Sequence, residues 1–423
     1  MLKIENNKVK ETLYIEKLEN GMKLMCIPKA KTTQKYVIWG IHYGSNDNIF
    51  VVPGETKETH VPNGVAHFLE HKMFEQENGR NSLDVLTALG VEANAYTTND
   101  HTAYLFEATD NFYPALDELM DYVQHPYFTH QNVEKEKGII GQEIAMYDDY
   151  PEWRVYLNAI KQMYKNHPIR IDTAGTKETI AEITENTLYK CYNTFYHPSN
   201  TCLVVCGNFK PEEIFEEIKK RIVIKQNQPE IKRIGVEEPD EIFEKEKIEK
   251  MEVSIPLFTI GYKDKQKRKD LVKRHIAIET ILGILIGKSS NLYQKLYNEN
   301  LLKQEPNLDY EFSKEYAHIL ITGRSENPKK VQEELNIEVK KLIENGINSQ
   351  DFERIKKRIY GEYIKEYNDV ADIARMFLAD NFNDINSFDY LEEYKNVDKT
   401  YTEAILKEVF KEENQVISIV DRK

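Results

Sequence analysis

Phe195-Tyr-His-Pro-Ser-Asn-Thr-Cys-Leu-Val-Val205 closes a segment that begins at Ile183, and Phe410-Lys-Glu-Glu-Asn-Gln-Val-Ile-Ser-Ile-Val420 closes one that begins at Val397. In each, a helical stretch ends near a Phe, a polar turn carries an Asn (Asn200, Asn414), and an apolar strand follows. The offset is about 215 residues, half of the 423-residue chain. Helix, turn and strand also recur by chance, but a match at half the chain length favours duplication of one unit.

Two units suit the length, because a chain of this size exceeds what one hydrophobic core usually supports. Gln226 to Lys247 is charged, contains Pro229 and Pro239 and lacks apolar periodicity. It divides the chain into a domain at 1–225, a linker at 226–247 and a related domain at 248–423. Within the first domain, Met22–Ile27 and Tyr36–His42 are β-rich runs across a polar turn, as in a hairpin. Helical spacing begins near Asn63-Gly64, near Ser82, from Asn111 and from Gln131 through Tyr147, while Glu92–Tyr96 and His101–Glu107 read as strands. Strands and helices thus come in groups, which places the chain in the α+β class.

At 40% apolar and 30% charged, the composition is that of a folded globular protein. A net charge of −14 speaks against broad nucleic-acid binding, because phosphates are gripped by clustered Lys and Arg. Met1 to Tyr14 is polar, without the apolar core of a secretion signal. The most apolar stretch, Ile276 to Ile286, contains Glu279 and falls well short of the ~20 residues that cross a bilayer, so it reads as a buried helix and no membrane partner is expected. Cys26, Cys191, Cys202 and Cys206 show no CxxC pairing, which points to reduced, buried thiols in a cytoplasmic protein and away from a zinc–thiolate site.

The chemistry concentrates in His67-Phe-Leu-Glu-His71. At about 100° per residue on a helix, His71 lies about 40° round from His67 and Glu70 about 60° the other way, so the three project within one sector. Two imidazoles one turn apart make half of a tetrahedral zinc shell, and the carboxylate between them can reach a water on the metal. This HxxEH order is the reverse of the HExxH helix. Two incidental histidines are the plain alternative, since a motif this short arises by accident a few times in about a hundred chains with 11 His.

A third ligand therefore carries weight. In Val133-Glu-Lys-Glu-Lys-Gly-Ile-Ile-Gly-Gln-Glu143, Glu136 and Glu143 lie about 20° apart on one helix face. Glutamates in so charged a helix ordinarily face solvent. Beside two imidazoles, a His, His, Glu shell with an open fourth position is the zinc-peptidase pattern, and Glu143 is a good candidate for its Glu. His275 and His318 stand alone in the second half and read as structural.

On these residues, together with Gly64-Val-Ala-His67 leading into the motif and Tyr196-His-Pro-Ser-Asn200 before an apolar strand, the chain resembles the pitrilysin or insulinase family of inverted-motif zinc peptidases, which includes the mitochondrial processing peptidases. The likeness is strongest from about Gly21 to Gly207. It implies two structurally related α/β-sandwich domains, each a mainly antiparallel sheet with helices packed on it. It implies one Zn2+ per chain on His67, His71 and Glu143, with Glu70 as the general base of an endopeptidase and Glu136 assisting from behind the ligands; manganese or cobalt can substitute in such sites. Asn94-Ala-Tyr-Thr97 resembles the family's edge strand, which binds an extended peptide through its backbone at Asn94, Ala95, Tyr96 and Thr97.

One departure concerns the second half. In Ser289-Ser-Asn-Leu-Tyr-Gln-Lys-Leu-Tyr297 and on to Gln304, the family often has an Arg and, seven residues later, a Tyr that hold substrate; here the positions carry Tyr297 and Gln304. Either the site works without that pair or a related partner subunit supplies it; members of this length resemble half of a closed clamshell, so the resemblance implies a homodimer, or a heterodimer with a paralogous subunit. The alternative is a non-catalytic or peptide-binding subunit. Against it, neither the ligands nor the base is missing.

Overall fold

The computed structural model describes residues 1–265 and 270–423. They form two compact units. Unit one comprises Met1–Ile144, Ile171–Gly235 and Glu366–Ser387, and unit two comprises Ala145–Arg170, Val236–Lys365 and Phe388–Lys423. The sequence suggests contiguous domains about a linker at 226–247; the contacts instead give each unit a segment from the other's stretch of chain. The stretch expected to be a linker is held along its length. Lys232–Arg233 pairs antiparallel with Phe50 and Val51 in unit one, and the Glu238 carboxylate accepts the backbone N–H groups of Lys165, Asn166 and His167 in unit two.

Unit one is built on seven strands: Leu2–Asn6 (β1), Glu11–Lys17 (β2), Lys23–Pro28 (β3), Lys35–Ile41 (β4), Glu92–Thr97 (β5), Thr102–Ala108 (β6) and Thr201–Gly207 (β7). Their order is β1-β2-β3-β7-β4-β6-β5, and only β3 and β7 run parallel. Unit two has five: Glu246–Met251 (β8), Leu257–Lys263 (β9), Asn307–Phe312 (β10), Ala317–Arg324 (β11) and Gln415–Arg422 (β12), in the order β8-β12-β9-β11-β10. There only β8 and β12 are parallel. Without the β1–β2 hairpin, the two sheets share one topology: the first strand lies parallel to the last, the second antiparallel to the last, and the third forms the far edge. The repeat read from the sequence is thus a repeat of folding units, with helices Glu185–Phe195 and Lys399–Val409 each leading into the final strand.

Central strands β4, β7 and β9 are buried on both faces, which is why they read as unbroken apolar runs. The second face of each sheet is covered by the borrowed segment. In unit one, helix Val370–Phe382 packs on β4 and β7, and Leu378 sits so close to Gly40 that a Cβ there would lie 2.5 Å from its Cδ1. In unit two, helix Pro151–Met163 packs on β9 and β12, and a Cβ on Gly261 would lie 3.1 Å from the Met163 sulfur. The same strand position is glycine in both units because a helix crosses it closely. The four cysteines are buried and free, and no helix among the described residues is long and apolar enough to cross a membrane.

Candidate active site

The motif occupies helix Val65–Lys72 (α1) in unit one. Its start needs glycine: Gly64 has φ +94°, and a Cβ would lie 2.5 Å from the Ala174 carbonyl oxygen. Val65, Phe68, Leu69 and Lys72 fall at i, i+3, i+4 and i+7 and are buried. This anchoring turns His67, Glu70 and His71 together toward helix His130–Asp148 (α2) on one side and β5 on the other. Buried Val133, Ile140 and Ile144 fix α2 against the core, so Glu136 and Glu143 face α1.

One donor atom each from His67, His71 and Glu143 lies within 4.8 Å of the others, the one such cluster among the described residues. Glu143 Oε1 is 3.7 Å from His67 Nε2, and its Oε2 is 3.5 Å from His71 Nε2. Behind them, His71 Nδ1 and Glu136 Oε1 are 3.1 Å apart. An ionised carboxylate can only accept, so the proton sits on Nδ1 and the Nε2 lone pair faces the cluster. Two imidazoles and a carboxylate suit zinc, and a carboxylate behind one imidazole is the usual support of such a ligand.

Burial pushes His67 down to about 3, with the neighbouring His71 adding to the effect. Burial also raises Glu70, against the Thr97 hydrogen bond and His71, and raises Glu143, where His71 opposes it and Asp172 and Glu136 reinforce it. For Glu136, burial works upward, but the His71 hydrogen bond and the Lys72 charge hold the carboxyl below its ordinary value. His71 is lowered by burial yet ends raised, through Glu136, Glu70 and Glu143.

The remaining expected residues lie alongside. Asn94 to Thr97 form most of β5, an edge strand that, among the described residues, pairs only with β6. The Asn94 side chain accepts the Ala95 N–H at 2.8 Å, and Tyr96 reaches His101 at 3.4 Å. Next to the cluster is a cavity of about 430 Å³ whose lining includes Glu70, Phe74, Arg80, Leu83, Ala95 and Ile139. In unit two, Tyr297 is half exposed and Gln304 lines a cavity of about 680 Å³. His275 and His318 are structural there: His275 meets the Tyr390 hydroxyl at 2.9 Å, and His318 lies between Tyr164 at 3.0 Å and Glu311 at 3.1 Å.

Two features escaped the sequence reading. Lys72 is fully buried; its ammonium pairs with Glu75 and lies 3.5 Å from Glu136 Oε2. The signal was a lysine on the apolar face of α1. Thr97, expected to act through its backbone, also donates its hydroxyl to Glu70 Oε2 at 2.7 Å.

The family described as Insulinase (Peptidase family M16) matches residues 44–177, and the Peptidase M16 inactive domain matches residues 182–359. The chain is 41% identical to the uncharacterized zinc protease YmfH of Bacillus subtilis over 393 residues, 91% of each chain. It is 26% identical to the uncharacterized zinc protease YmxG of the same organism, over 74% of this chain and 76% of the relative. Its fold is similar to that of a putative M16-like peptidase from Alicyclobacillus acidocaldarius, with a TM-score of 0.94, 31% identity and 100% of both chains covered.

Proposed function

The chain belongs to the insulinase family of peptidases, family M16, and we propose that it is a zinc-dependent endopeptidase acting on short or unfolded peptides. The reading is carried by the convergence of His67, His71 and Glu143 within 4.8 Å, with Glu70 on the same helix face. His67 and His71 would hold the metal through imidazole nitrogens and Glu143 through a carboxylate oxygen. When bound, zinc supplies a Lewis acid that acidifies water and polarises a carbonyl. Glu136 fixes the His71 tautomer. Glu70 takes the proton from the attacking water and returns it to the leaving amine, ending ionised as it began.

An extended peptide would add to the free edge of β5 at Asn94, Ala95, Tyr96 and Thr97, with one side chain in the adjoining cavity. Backbone pairing of this kind selects for unfolded chain more than for sequence. Tyr297 and Gln304 in place of an Arg and a Tyr favour a second subunit, a copy or a paralogue, that completes the hold on substrate. Zinc content and cleavage of a quenched fluorescent peptide test the enzyme reading. The native protein should hold one zinc and cleave, and Glu70→Gln should keep zinc and lose turnover. A zinc-loaded native protein that cleaves no peptide, alone or with a paralogue, would overturn it in favour of a peptide-binding subunit.

A further inference from the structure

We propose that Thr97 is a positioning residue for the base: its hydroxyl pins one oxygen of Glu70 and leaves the other to handle the proton. The inference rests on the peptidase reading above. Thr97 ends β5, and Thr102, its cross-strand partner, begins β6. The Thr102 hydroxyl donates to the Tyr43 carbonyl at 2.9 Å. A carbonyl only accepts and a hydroxyl has one proton, so Thr102 can present only lone pairs to Thr97, whose Oγ1 is 3.3 Å away. The single proton of Thr97 therefore meets acceptors on both sides, Thr102 at 3.3 Å and the Glu70 carboxylate at 2.7 Å. The shorter bond, to a charge, wins.

The direction of this chain of hydroxyls is set from its buried end, because Thr102 is fully buried and Tyr43 nearly so. Thr97 always arrives at Glu70 as a donor. With Oε2 occupied, Oε1 is the oxygen that accepts the water's proton. As the C–N bond breaks, the same proton passes from Oε1 to the amine nitrogen, and Thr97 neither gains nor loses one. Because Thr97 also belongs to the edge strand, the element that receives the peptide backbone is the element that aims the base.

Cross-strand Thr pairs also occur for purely structural reasons, and the test separates the two roles. Thr97→Val keeps the β-branched shape and removes the donor; Thr97→Ser restores the hydroxyl. Hydrogen bonds to charged groups are worth enough that kcat should fall roughly 10- to 100-fold in Thr97→Val, with KM within about twofold, native zinc content, and recovery to within about threefold in Thr97→Ser. In a Glu70→Gln background, Thr97→Val should change neither the residual rate nor the affinity for an uncleaved fluorescent peptide. Should Thr97→Val not fold, Thr97→Ala is read by the same criteria. The proposal is overturned by near-native kcat in Thr97→Val, by Thr97→Ser as impaired as Thr97→Val, or by weakened peptide binding in the Glu70→Gln background. Native protein that cleaves while Thr97→Val is indifferent removes this inference alone; native zinc-loaded protein that never cleaves removes the peptidase reading.

Discussion

Glu136→Gln should weaken zinc binding without touching a ligand. Glu136 answers two donors at once: Oε1 takes the His71 Nδ1–H at 3.1 Å, and Oε2 lies 3.5 Å from the Lys72 ammonium. A glutamine offers one oxygen and an NH2 group. If the oxygen turns to His71, the NH2 confronts a buried ammonium; if it turns to Lys72, His71 loses its acceptor and is free to rotate or to carry its proton on Nε2. Either way one charge-assisted hydrogen bond is lost, worth about 1.5–3 kcal/mol. That corresponds to roughly a 10- to 100-fold loss of affinity, the range usual for a carboxylate behind a metal-bound imidazole. Competition against a chromophoric chelator at fixed pH measures it. An affinity within about threefold of native would refute the claim that Glu136 orients His71.

Glu238→Ala should destabilise unit two by about 1.5–3 kcal/mol, because it removes the charge-assisted bond of a buried ammonium that keeps only the Pro239 and Glu241 carbonyls: the Glu238 carboxylate meets Lys263 Nζ at 2.7 Å with both side chains at most 1% exposed. Urea unfolding reads the effect, and a loss under 1 kcal/mol would argue against it. Burial pushes both His101 and His167 down to about 4, so between pH ~6.5 and ~4 the unfolded chain binds protons that the folded one refuses. Stability should be full above pH ~6.5 and fall toward pH ~4, and thermal melts of His101→Asn should show a flatter decline than the native protein. Sedimentation of the zinc-loaded protein should reveal a dimer in the active fraction; a fully active monomer would count against a second subunit.

The motif, the carboxylate that converges on it and the edge strand were legible because each is local: His67, Glu70 and His71 share one helical turn, Glu136 and Glu143 are two turns apart on another helix, and Asn94 to Thr97 is a single strand. The α+β class and the duplication were legible for the same reason, since Ile183–Val205 and Val397–Val420 each carry a helix, turn and strand within one window. What escaped depends on partners distant in sequence. The borrowed helices Pro151–Met163 and Val370–Phe382 are ordinary amphipathic segments, and nothing in their own residues says which sheet they cover. Strands β1 and β2 alternate at a sheet margin and read as polar chain. Glu238 looked like linker charge because its backbone donors lie 71 to 73 residues upstream, and the burial of Lys72 depends in part on Glu136, 64 residues downstream.

Duplication poses the question of why one unit carries the cluster of His67, His71 and Glu143 and the other has no counterpart among the described residues, and the neighbours of the carboxylates differ between the two. In unit two, helix Leu271–Leu285 follows the second strand as α1 does in unit one, and helix Ser349–Glu366 corresponds in order to α2. The carboxylates on that pair are answered by protein groups. Glu279 accepts the Tyr363 hydroxyl at 2.8 Å and lies 3.5 Å from His275, and Glu362 pairs with Arg358 at 3.2 Å. Burial works to raise Glu279, yet His275, Tyr363 and Arg358 hold it below the ordinary carboxylate value. In unit one the balance runs the other way: Glu143 and Glu70 end raised, and the fixed cation nearby, Lys72, is engaged by Glu75 and Glu136. Unit two satisfies Glu279 and Glu362 from within the chain, whereas in unit one Glu143 lies 3.7 and 3.5 Å from two imidazole nitrogens, an arrangement that would suit a divalent cation.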